Sequence, residues 1–534
     1  MSIKILIADK LAPEGATYLK GQPEVEVIEK TGLTGKELAQ AIADVDGVIV
    51  RSAVKLPQDV LEQAFRSDEC HLKGIARAGV GVDNIDLETA TKYGVAVMNS
   101  ASASTITTAE LAFALMISLA RNVASSNAVF RDGGWDRSEY MGVQLAGRTL
   151  GIVGMGRIGQ AMARRAIAFG MEVIAFDPFM KESTALDGNV RMLESFDEII
   201  SQVDIVSFHV PKTEQTDGML GTEQFAKAKD GLLVINAARG GIVNEEALIE
   251  ALNSSKCAGA AVDVYHSEPP ADDHPFRSHP KVLATPHLGA STVEAQEAVA
   301  VNACASLLRY LRGEGLESAV NAGGLDLELN QRQRTYVELA KRMILLLGTV
   351  ANIQNTKEVH VELCGKATVG KGDTIAKHAL VALLQQCCDE PVSIINVSAI
   401  ALELGVSATH DVGPADAIDA ITIRTKGAHE HTIEGTVHAD GMPRITNIEG
   451  RQIDMVPSGD MITLFNNNKP GMVGKVGEVL GEASLNIDEM IIGKADDQDM
   501  AMMIIKVSQS PSEDILNALG SLDGVSKVAS VQVT

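Results

Sequence analysis

The first 98 residues alternate short apolar runs with amphipathic segments. The apolar runs predict β-strands at residues 3–8, 25–28, 47–50, 74–77 and 95–98. Between them, apolar positions recur at helical spacing near residues 13–19, 36–43, 57–64 and 87–92. Strand–helix alternation is typical of a parallel sheet with helices on both faces, so we predict a doubly wound α/β unit here.

A second unit of the same kind follows. Its strands are predicted near residues 149–153, 172–176, 205–208, 232–235 and 259–262. A long apolar helix at 107–121 and an irregular arm at 132–137 separate the two units. A further helix at 294–311 comes directly after the second unit, in a position to return the chain to the first.

The last part of the chain has a different pattern. Residues 313–324 are rich in glycine and predict a linker. Residues 325–457 contain two helical stretches followed by alternating strands, which predicts an α+β domain. Residues 458–534 follow the order strand, helix, strand, strand, helix, strand, which is that of the ferredoxin-like βαββαβ unit. The predicted fold class is therefore α/β, with two doubly wound parallel-sheet domains followed by two α+β domains.

The chain is acidic and poor in aromatic residues. Hydrophobic residues make up 46% of its 534 residues and aromatic residues 3%, and the formal net charge is −24. The balance is that of a globular protein, with cores built from Ala, Val, Ile and Leu. Because the charge disfavours contact with nucleic acid or anionic membranes, neither partner is predicted. An anionic substrate would need a local basic pocket.

The cysteine spacing and the N-terminal segment indicate the cellular compartment of the protein. The six cysteines include no C-x-x-C pair, so thiols in a reducing compartment are expected and no metal site is predicted. The N-terminal segment lacks the pattern of a signal peptide. The longest apolar stretch, residues 111–120, has about half the length needed to span a bilayer. A cytoplasmic protein is predicted.

A glycine-rich turn follows the first strand of the second unit. It has the sequence GMGRIG, and its expected cofactor contacts are Gly154, Gly156, Arg157, Ile158 and Gly159. The turn opens a helix, and the acidic Asp177 ends the next strand. Strand, glycines, helix and acid together are the dinucleotide-binding fingerprint. Because Asp177 can accept hydrogen bonds from ribose hydroxyls and repels a 2′-phosphate, we predict NAD as cofactor.

Three polar residues each follow a predicted strand of the second unit. They are Arg239, Glu268 and His287. Ligands of such sheets bind at the carboxyl ends of the strands. A guanidinium can clamp the carboxylate of a 2-hydroxy acid, an imidazole can take the hydroxyl proton, and a carboxylate can fix and stabilise that imidazole. The set predicts hydride transfer between NAD and a 2-hydroxy acid.

Four runs of the chain resemble the D-isomer-specific 2-hydroxyacid dehydrogenases. They are VRS at 50–52, ARAGVGVDNID at 76–86, NAARGG at 236–241 and PHLGAST at 286–292. The resemblance covers essentially the whole chain and is strongest to the long, multi-domain members. It implies NAD-dependent oxidation of 3-phospho-D-glycerate to 3-phosphohydroxypyruvate, the first step of serine synthesis. It also implies that Arg239, Glu268 and His287 are the catalytic residues.

The resemblance implies further contacts with cofactor and substrate. Besides the fingerprint residues, the cofactor is expected to touch Val80, His209, Val210, Pro211, Ala237, Ala238, Arg239, Asp263, His287, Gly289 and Ala290. The 3-phosphoglycerate is expected to touch Arg51, Ser52, Arg77, Gly79 and Arg137. 3-Phosphoglycerate carries about three negative charges near neutrality. The arginines would supply the local positive charge that such a substrate requires in an acidic protein.

The resemblance also implies a domain layout. A flavodoxin-like substrate domain at 1–98 and 286–318 would carry the Rossmann domain, 99–285, as an insertion. An allosteric substrate-binding-like domain would span 319–457 and an ACT domain 458–534. The helix at 107–121 is apolar on nearly every side, which fits burial between the two α/β units of one chain. The resemblance instead implies a dimer formed through this helix and the following arm, in a homodimer or homotetramer.

Effector binding is a further implication. Asn466, Asn468 and Asn486 resemble the residues that grip an amino-acid effector, which would be L-serine, across an ACT dimer. Asn466 stands where some serine-sensitive relatives have histidine, so a purely structural dimerisation module is the alternative.

Two other functions remain open at this stage. One is a glyoxylate or hydroxypyruvate reductase of the same family, and the other is an NAD-sensing corepressor-like binding protein on the same fold. Neither explains the basic residues at 51 and 77, and the corepressor also leaves the final βαββαβ unit unexplained.

Overall fold

The computed structural model describes residues 2–67, 70–180, 186, 188–323, 329–388, 390–494 and 500–533. In these residues the strands form four sheets, of five, seven, six and four strands. The predicted fold class is confirmed: two parallel-sheet α/β units precede two β-rich units, and the last is ferredoxin-like.

The first sheet is parallel and has the order β2-β1-β3-β4-β5. Its strands are β1 (Ile3–Ile7), β2 (Val25–Glu29), β3 (Gly47–Val50), β4 (Gly74–Arg77) and β5 (Ala96–Asn99). Its connecting helices are α1 (Pro13–Lys20), α2 (Gly35–Ala43), α3 (Gln58–Phe65) and α4 (Leu87–Lys92). All four residues of β3 are buried, as expected for a central parallel strand with helices on both faces.

Two helices join the first sheet to the second, α5 (Thr105–Ala120) and α6 (Val123–Arg131). The apolar helix α5 packs on the second sheet and on the first helix of that unit, so much of its apolar surface is buried within one chain. In contrast, α6 was not predicted from the pattern and has no buried residue.

The second sheet is also parallel, with the order β12-β11-β10-β9-β6-β7-β8. Its strands are β6 (Thr149–Val153), β7 (Glu172–Phe176), β8 (Arg191–Met192), β9 (Ile205–Phe208), β10 (Leu232–Asn236), β11 (Cys257–Val262) and β12 (Val282–Ala284). Its helices are α7 (Arg157–Ala168), α8 (Phe196–Ile200), α9 (Thr222–Lys227) and α10 (Glu245–Asn253), with a 3₁₀ turn at Pro275–Arg277.

Helix α11 (Val293–Leu311) returns the chain to the first sheet. It packs on α1 and on β3, β4 and β5, and the Thr292 hydroxyl caps its N-terminus by accepting from the Ala295 amide. Beyond it, the amide of Val320 donates to the carbonyl of Val97. The end of the predicted linker therefore lies along β5, just past the expected domain boundary at 318.

The third sheet has the order β14-β13-β15-β16-β17-β18 and mixed strand directions. Its elements are α12 (Gln331–Val350), β13 (Glu358–Cys364), α13 (Gly372–Leu384), α14 (Val397–Leu404), β14 (Ser407–Val412), β15 (Ala420–Lys426), β16 (Glu430–Val437), β17 (Pro443–Ile448) and β18 (Arg451–Met455). The helices α12 and α13 cover one face of this sheet. The sequence pattern did not identify β13, α14, β14 and β18.

The fourth sheet is antiparallel, with the order β20-β21-β19-β22. Its elements are β19 (Gly459–Asn466), α15 (Met472–Glu482), β20 (Ile487–Lys494), β21 (Ala501–Val507), α16 (Glu513–Gly520) and β22 (Val525–Val533). One face packs on α15 and α16, and the other joins the core beneath α12 through Met461, Met502, Ile504 and Val533.

Candidate functional site

The glycine-rich turn after β6 has the close contacts that its glycines permit. Gly154 has φ +96°, and a Cβ there would lie 2.6 Å from the His209 carbonyl oxygen. A Cβ on Gly159 would lie 2.0 Å from the Gly154 carbonyl oxygen. Around Gly156, however, no atom lies within 4 Å of a built Cβ. The turn is therefore packed on the protein side and open on the side where a pyrophosphate would approach the N-terminus of α7.

Asp177 connects the end of β7 to this turn. Its Oδ2 accepts from the Met155 amide at 2.8 Å and its Oδ1 from the Phe179 amide at 2.9 Å. Each carboxylate oxygen keeps a second lone pair, so the group can still accept from ribose hydroxyls. Arg157 and Ile158 begin α7, with Arg157 exposed. The residues present fit a dinucleotide.

The loop after β9 borders the same turn. His209 Nε2 lies 2.9 Å from the Ser207 hydroxyl, and burial lowers the pKa of His209 to about 4. The imidazole is therefore neutral near pH 7. Val210 is half-buried, and the Pro211 carbonyl accepts from the Thr216 hydroxyl at 2.7 Å.

Glu268 and His287 form a direct contact at the carboxyl edge of the second sheet. His287 Nδ1 lies 2.6 Å from Glu268 Oε2, and the Tyr265 amide donates to Glu268 Oε1 at 3.1 Å. Partial burial raises the pKa of Glu268, but the His287 and Tyr265 hydrogen bonds and the charges of His287 and Arg239 outweigh it, so the net pKa is lowered. The other ring nitrogen, Nε2, remains available for substrate.

Asp263 holds the loop that carries His287. This fully buried carboxylate accepts from the Thr285 hydroxyl at 2.6 Å and from the Leu288 and Gly289 amides at 2.8 and 2.9 Å. Burial raises its pKa against the lowering effect of these bonds. Asp263 is expected to contact the cofactor, and the geometry gives it a second task in fixing the residues around His287.

Arg239 extends from the loop after β10 towards the first unit. The Asn236 side chain shapes this loop by accepting from the Ala238 amide and donating to the Arg239 carbonyl. Ala237 is buried and Ala238 half-buried. The guanidinium Nε lies 3.5 Å from Asp83 Oδ2, and Nη1 donates to the Ala238 carbonyl at 2.7 Å. The Arg239 side chain thus crosses the cleft between the two units.

Arg77 and Arg51 face Arg239 from the first unit. Arg77 ends β4, and a Cβ on Gly79 would lie 1.4 Å from its Nη1, so the guanidinium lies directly over Gly79. Burial, and then the charges of Arg239 and Arg51, lower the pKa of Arg77 to about 10. The three arginines therefore form one cationic cluster, and Arg77 stays protonated near neutrality.

Asp9 and Asn84 organise the loop of Arg51 and Ser52, and the sequence analysis missed both. Asp9 Oδ2 accepts from the amides of Arg51, Ala53 and Val54 at 3.1 to 3.2 Å. The Asn84 amide group donates to the carbonyls of Arg51 and Val54 at 2.8 and 2.7 Å. Asp9 follows β1 and shares an edge of the sheet with Arg51, a signal that the strand pattern already contained.

The remaining residues that were expected to contact cofactor or substrate lie in different parts of the structure. The Val80 carbonyl accepts from the Asn99 side chain at 2.7 Å beside the arginine cluster. Gly289 is buried and Ala290 half-buried in the His287 loop. Arg137 is instead exposed in the arm after α6 and does not belong to the electrostatic cluster around Arg77. One chain thus brings Arg51, Arg77, Arg239, Glu268 and His287 near one another.

The three asparagines of the last unit also differ in access. Asn468 and Asn486 are exposed, and the Asn486 side-chain amide lies 3.3 Å from Asp488 Oδ1. Asn466, expected as an effector contact, is 0% exposed. Asn466 thus lies buried at the end of β19, and its role as an effector contact stays a prediction.

No single helix of the described residues has both the length and the apolar composition to cross a membrane; α5 and α6 pass this test only as a pair, bent by 65°.

Comparison with known proteins supports a common ancestry for the whole chain. Family models match residues 113–289 (D-isomer specific 2-hydroxyacid dehydrogenase, NAD binding domain), 332–449 (D-3-phosphoglycerate dehydrogenase intervening domain) and 461–524 (ACT domain). The D-3-phosphoglycerate dehydrogenase of Archaeoglobus fulgidus is 33% identical over 98% of this chain and 98% of its own length. That of Bacillus subtilis is 34% identical over 98% of both chains.

A solved structure extends the comparison to the catalytic half. The NAD-dependent formate dehydrogenase of Staphylococcus aureus, in complex with NAD, is 28% identical and has a TM-score of 0.52, over 59% of this chain and 97% of its own. The matches across both halves agree with the site geometry: the chain belongs to the D-3-phosphoglycerate dehydrogenase family of NAD-dependent D-2-hydroxyacid dehydrogenases.

Proposed function

We propose that this chain oxidises 3-phospho-D-glycerate to 3-phosphohydroxypyruvate with NAD, the first step of serine synthesis. The observation that carries the proposal is that two groups of side chains, one from each α/β unit, meet at the cleft. The pair Glu268–His287 and Arg239 come from the second unit, and Arg51 and Arg77 come from the first. The first group suits a 2-hydroxy acid and the second suits its phosphate.

Arg239 would bind the substrate carboxylate and so orient the C2 hydroxyl towards His287. His287 Nε2 would take the hydroxyl proton, and Glu268 at Nδ1 would stabilise the resulting imidazolium and fix the ring. The lowered pKa of Glu268 keeps that carboxylate charged near neutrality. Bound NAD supplies the acceptor for the hydride from C2. The residues that would hold it are those of the GMGRIG turn, Asp177 and the loops after β9 and β10.

Phosphate recognition separates this function from the alternatives. A glyoxylate or hydroxypyruvate reductase needs no cation beyond Arg239, and a corepressor needs no substrate cations. The full-length relatives are named D-3-phosphoglycerate dehydrogenases, in agreement with the cationic cluster. The test is NADH formation from 3-phospho-D-glycerate with a second enzyme removing the product. Absence of NADH under these conditions would refute the proposal.

The domain layout of the proposal is the one expected from the sequence. A substrate domain at 1–98 and 286–318 carries the nucleotide domain at 99–285, followed by domains at 319–457 and 458–534. The return of α11 to the first sheet supports the insertion. A cytoplasmic location stays a prediction.

A homodimer, or a homotetramer built from it, is part of the proposal. Its support is the exposed apolar surface of α6 and the following arm, where Phe130, Trp135 and Met141 are 61%, 78% and 83% exposed. Burying them against a second copy would remove that surface from water. Arg137 lies on the same arm, from which it would reach the partner's cleft.

The ACT domain suggests binding of an effector, and we infer that L-serine is this effector. Asn468 and Asn486 are exposed and carry amides that can donate to a carboxylate and accept from an ammonium. Replacing either by Ala is expected to abolish serine inhibition with uninhibited turnover retained. If millimolar serine changes neither wild-type activity nor the thermal melt, the effector is not serine.

A further inference from the structure

Asp83 is an acidic residue inside a site that must hold an anion. It lies in the loop after β4 and its side chain is 75% exposed. Across the cleft, its Oδ2 is 3.5 Å from Arg239 Nε. The contact joins the two units at the residue that would bind the substrate carboxylate. A carboxylate of the protein therefore stands where a carboxylate of the substrate is expected.

The surroundings show how closely the two groups share this space. A Cβ on Gly81 would lie 2.2 Å from Arg239 Nη2 and 2.7 Å from Asp83 Oδ2, so both groups lie over the same glycine. Arg239 Nη1 is already used by the Ala238 carbonyl. Asp83 therefore lies beside the Nε and Nη2 side of the guanidinium, the side that a substrate carboxylate would share with it.

The contact between Asp83 and Arg239 also affects the balance of charge in the cleft. Arg239 and Arg51 both repel Arg77, and the negative charges of Asp83 and Asp9 oppose the lowering of the Arg77 pKa. Asp9 is held by the Arg51 loop through backbone amides, whereas Asp83 is exposed and has one charged partner across the cleft. A weak, exposed ion pair of this kind exchanges at low cost.

We propose that Asp83 is a built-in counter-ion that occupies Arg239 in the empty site and gives way to the substrate carboxylate. It rests on the proposed function only in naming that carboxylate as part of 3-phosphoglycerate. Asp83 thereby weakens substrate binding and lets the cationic cluster exist without ligand. Selectivity follows as well, because only a ligand with an anionic group at this position replaces the lost ion pair.

The test is Asp83→Asn, which keeps the shape and removes the charge. Relative to wild type, KM for 3-phosphoglycerate is expected to fall about twofold to fivefold, the range of an exposed ion pair, with the Kd of NADH unchanged. Glu26→Gln is the matched control, since it removes one exposed charge on β2, away from the cleft. A higher or unchanged KM in Asp83→Asn would overturn the proposal. A higher KM would mean that Asp83 orients Arg239 for the substrate, and an unchanged KM would mean that Asp83 has no effect on substrate binding.

Two small ligands distinguish displacement of Asp83 from Arg239 from a general change in the electrostatic field of the site. Glycolate carries the carboxylate and hydroxyl, and inorganic phosphate carries neither. Their binding is followed by thermal-melt titration, which needs no turnover and so stays informative if 3-phosphoglycerate is not the substrate. Asp83→Asn should tighten glycolate by the same factor as KM and phosphate by a smaller factor, since the charge of Asp83 also acts on Arg77. Equal tightening of both probes would contradict displacement at Arg239. Asp83→Ser repeats the test should the Asn variant fold poorly.

Discussion

At the scale of single residues, environment decides what each charged group does. Arg77 has a buried Nε with no hydrogen-bond partner in the described residues, and its pKa is lowered to about 10 by burial and by neighbouring arginines. Such a group is costly to keep without an anion. The pKa of Glu268 is also lowered, but for a carboxyl group a lower pKa favours the charged form, which His287, Tyr265 and Arg239 stabilise. Both shifts suit a site that binds an anion and moves a proton.

His287→Ala is expected to lower kcat by about 10²- to 10⁴-fold, because it removes the general base. NADH affinity should be kept, since the glycine-rich turn and Asp177 are untouched. Steady-state kinetics and NADH titration measure the two effects. His279→Ala, a loop histidine near Asn253, is the control and should leave both values unchanged. Near-normal turnover in His287→Ala would show that another group takes the proton.

Cofactor preference is expected to depend on Asp177. The double change Asp177→Ala with Phe179→Arg removes a negative charge and adds a positive one at a 97% exposed position. The ratio of kcat/KM for NADP to that for NAD should rise at least about tenfold, because repulsion of the 2′-phosphate is replaced by attraction. The ratio is the proper readout, since loss of the bond to the Met155 amide weakens both cofactors. An unchanged ratio would mean that another group contacts the ribose.

At the scale of elements, the strands were easier to predict than the loops between them. Most strands of the two parallel sheets lie within one or two residues of the predicted bounds, because a buried parallel strand is a continuous apolar run. β14 was missed since its residues are mostly exposed, and α6 because it has no buried face. Likewise, the apolar spacing that identifies β19 could not tell that Asn466 is fully buried at its end.

The residues of the candidate site also differ in how well they could be predicted from the sequence. Arg239, Glu268 and His287 were predictable, because each residue type has chemistry of its own at a strand end. Asp9, Asn84 and Asp83 were not chosen, since their roles depend on partners 42 or more positions away for Asp9, about 30 for Asn84 and across the cleft for Asp83. For Asp9 the strand pattern already indicated a sheet edge shared with Arg51, but the contacts themselves follow from topology and not from local pattern.

The Arg51 loop is expected to depend on Asp9. Asp9→Ala removes the acceptor for three loop amides, so the free energy of unfolding should fall by about 1–3 kcal/mol and KM for 3-phosphoglycerate should rise. Asp46→Ala is the matched control, because Asp46 binds the Lys4 amide and Lys73 before β3, at the opposite end of the strands. Similar destabilisation in both variants with a higher KM only in Asp9→Ala supports the role. An equal KM change in both would contradict it.

At the scale of the whole molecule, the C-terminal units are joined to each other and to the catalytic half. Lys527 of β22 donates to the Val350 carbonyl at the end of α12 at 2.9 Å, and the Arg451 guanidinium lies 5.4 Å from the Phe465 ring centre. Ser393 donates to the Gly94 carbonyl at 2.8 Å, just before β5. These contacts give the last two units a physical connection to the sheet that carries Arg77.

The assembly is expected to be at least a dimer through α6 and the arm. Light scattering at micromolar concentration should give at least twice the chain mass. Trp135→Ser with Met141→Ser should shift the protein towards monomer, because it removes two exposed apolar side chains from the proposed interface. Ile418→Ser with Leu402→Ser changes two comparably exposed apolar residues of the third unit and is the control for this interface. A wild-type monomer would refute the dimer, and with it the placement of Arg137 in a partner's cleft.

The most direct measurement compares 3-phospho-D-glycerate with D-glycerate as substrates, with NADH formation followed while the product is removed. The account predicts a kcat/KM at least about a hundredfold higher for the phosphorylated substrate, since two arginines each contribute a charged hydrogen bond to phosphate. The double variant Arg51→Ala with Arg77→Ala should lower this ratio towards one. Equal activity of the wild-type protein on both substrates would contradict the assignment of the cationic cluster to a phosphate.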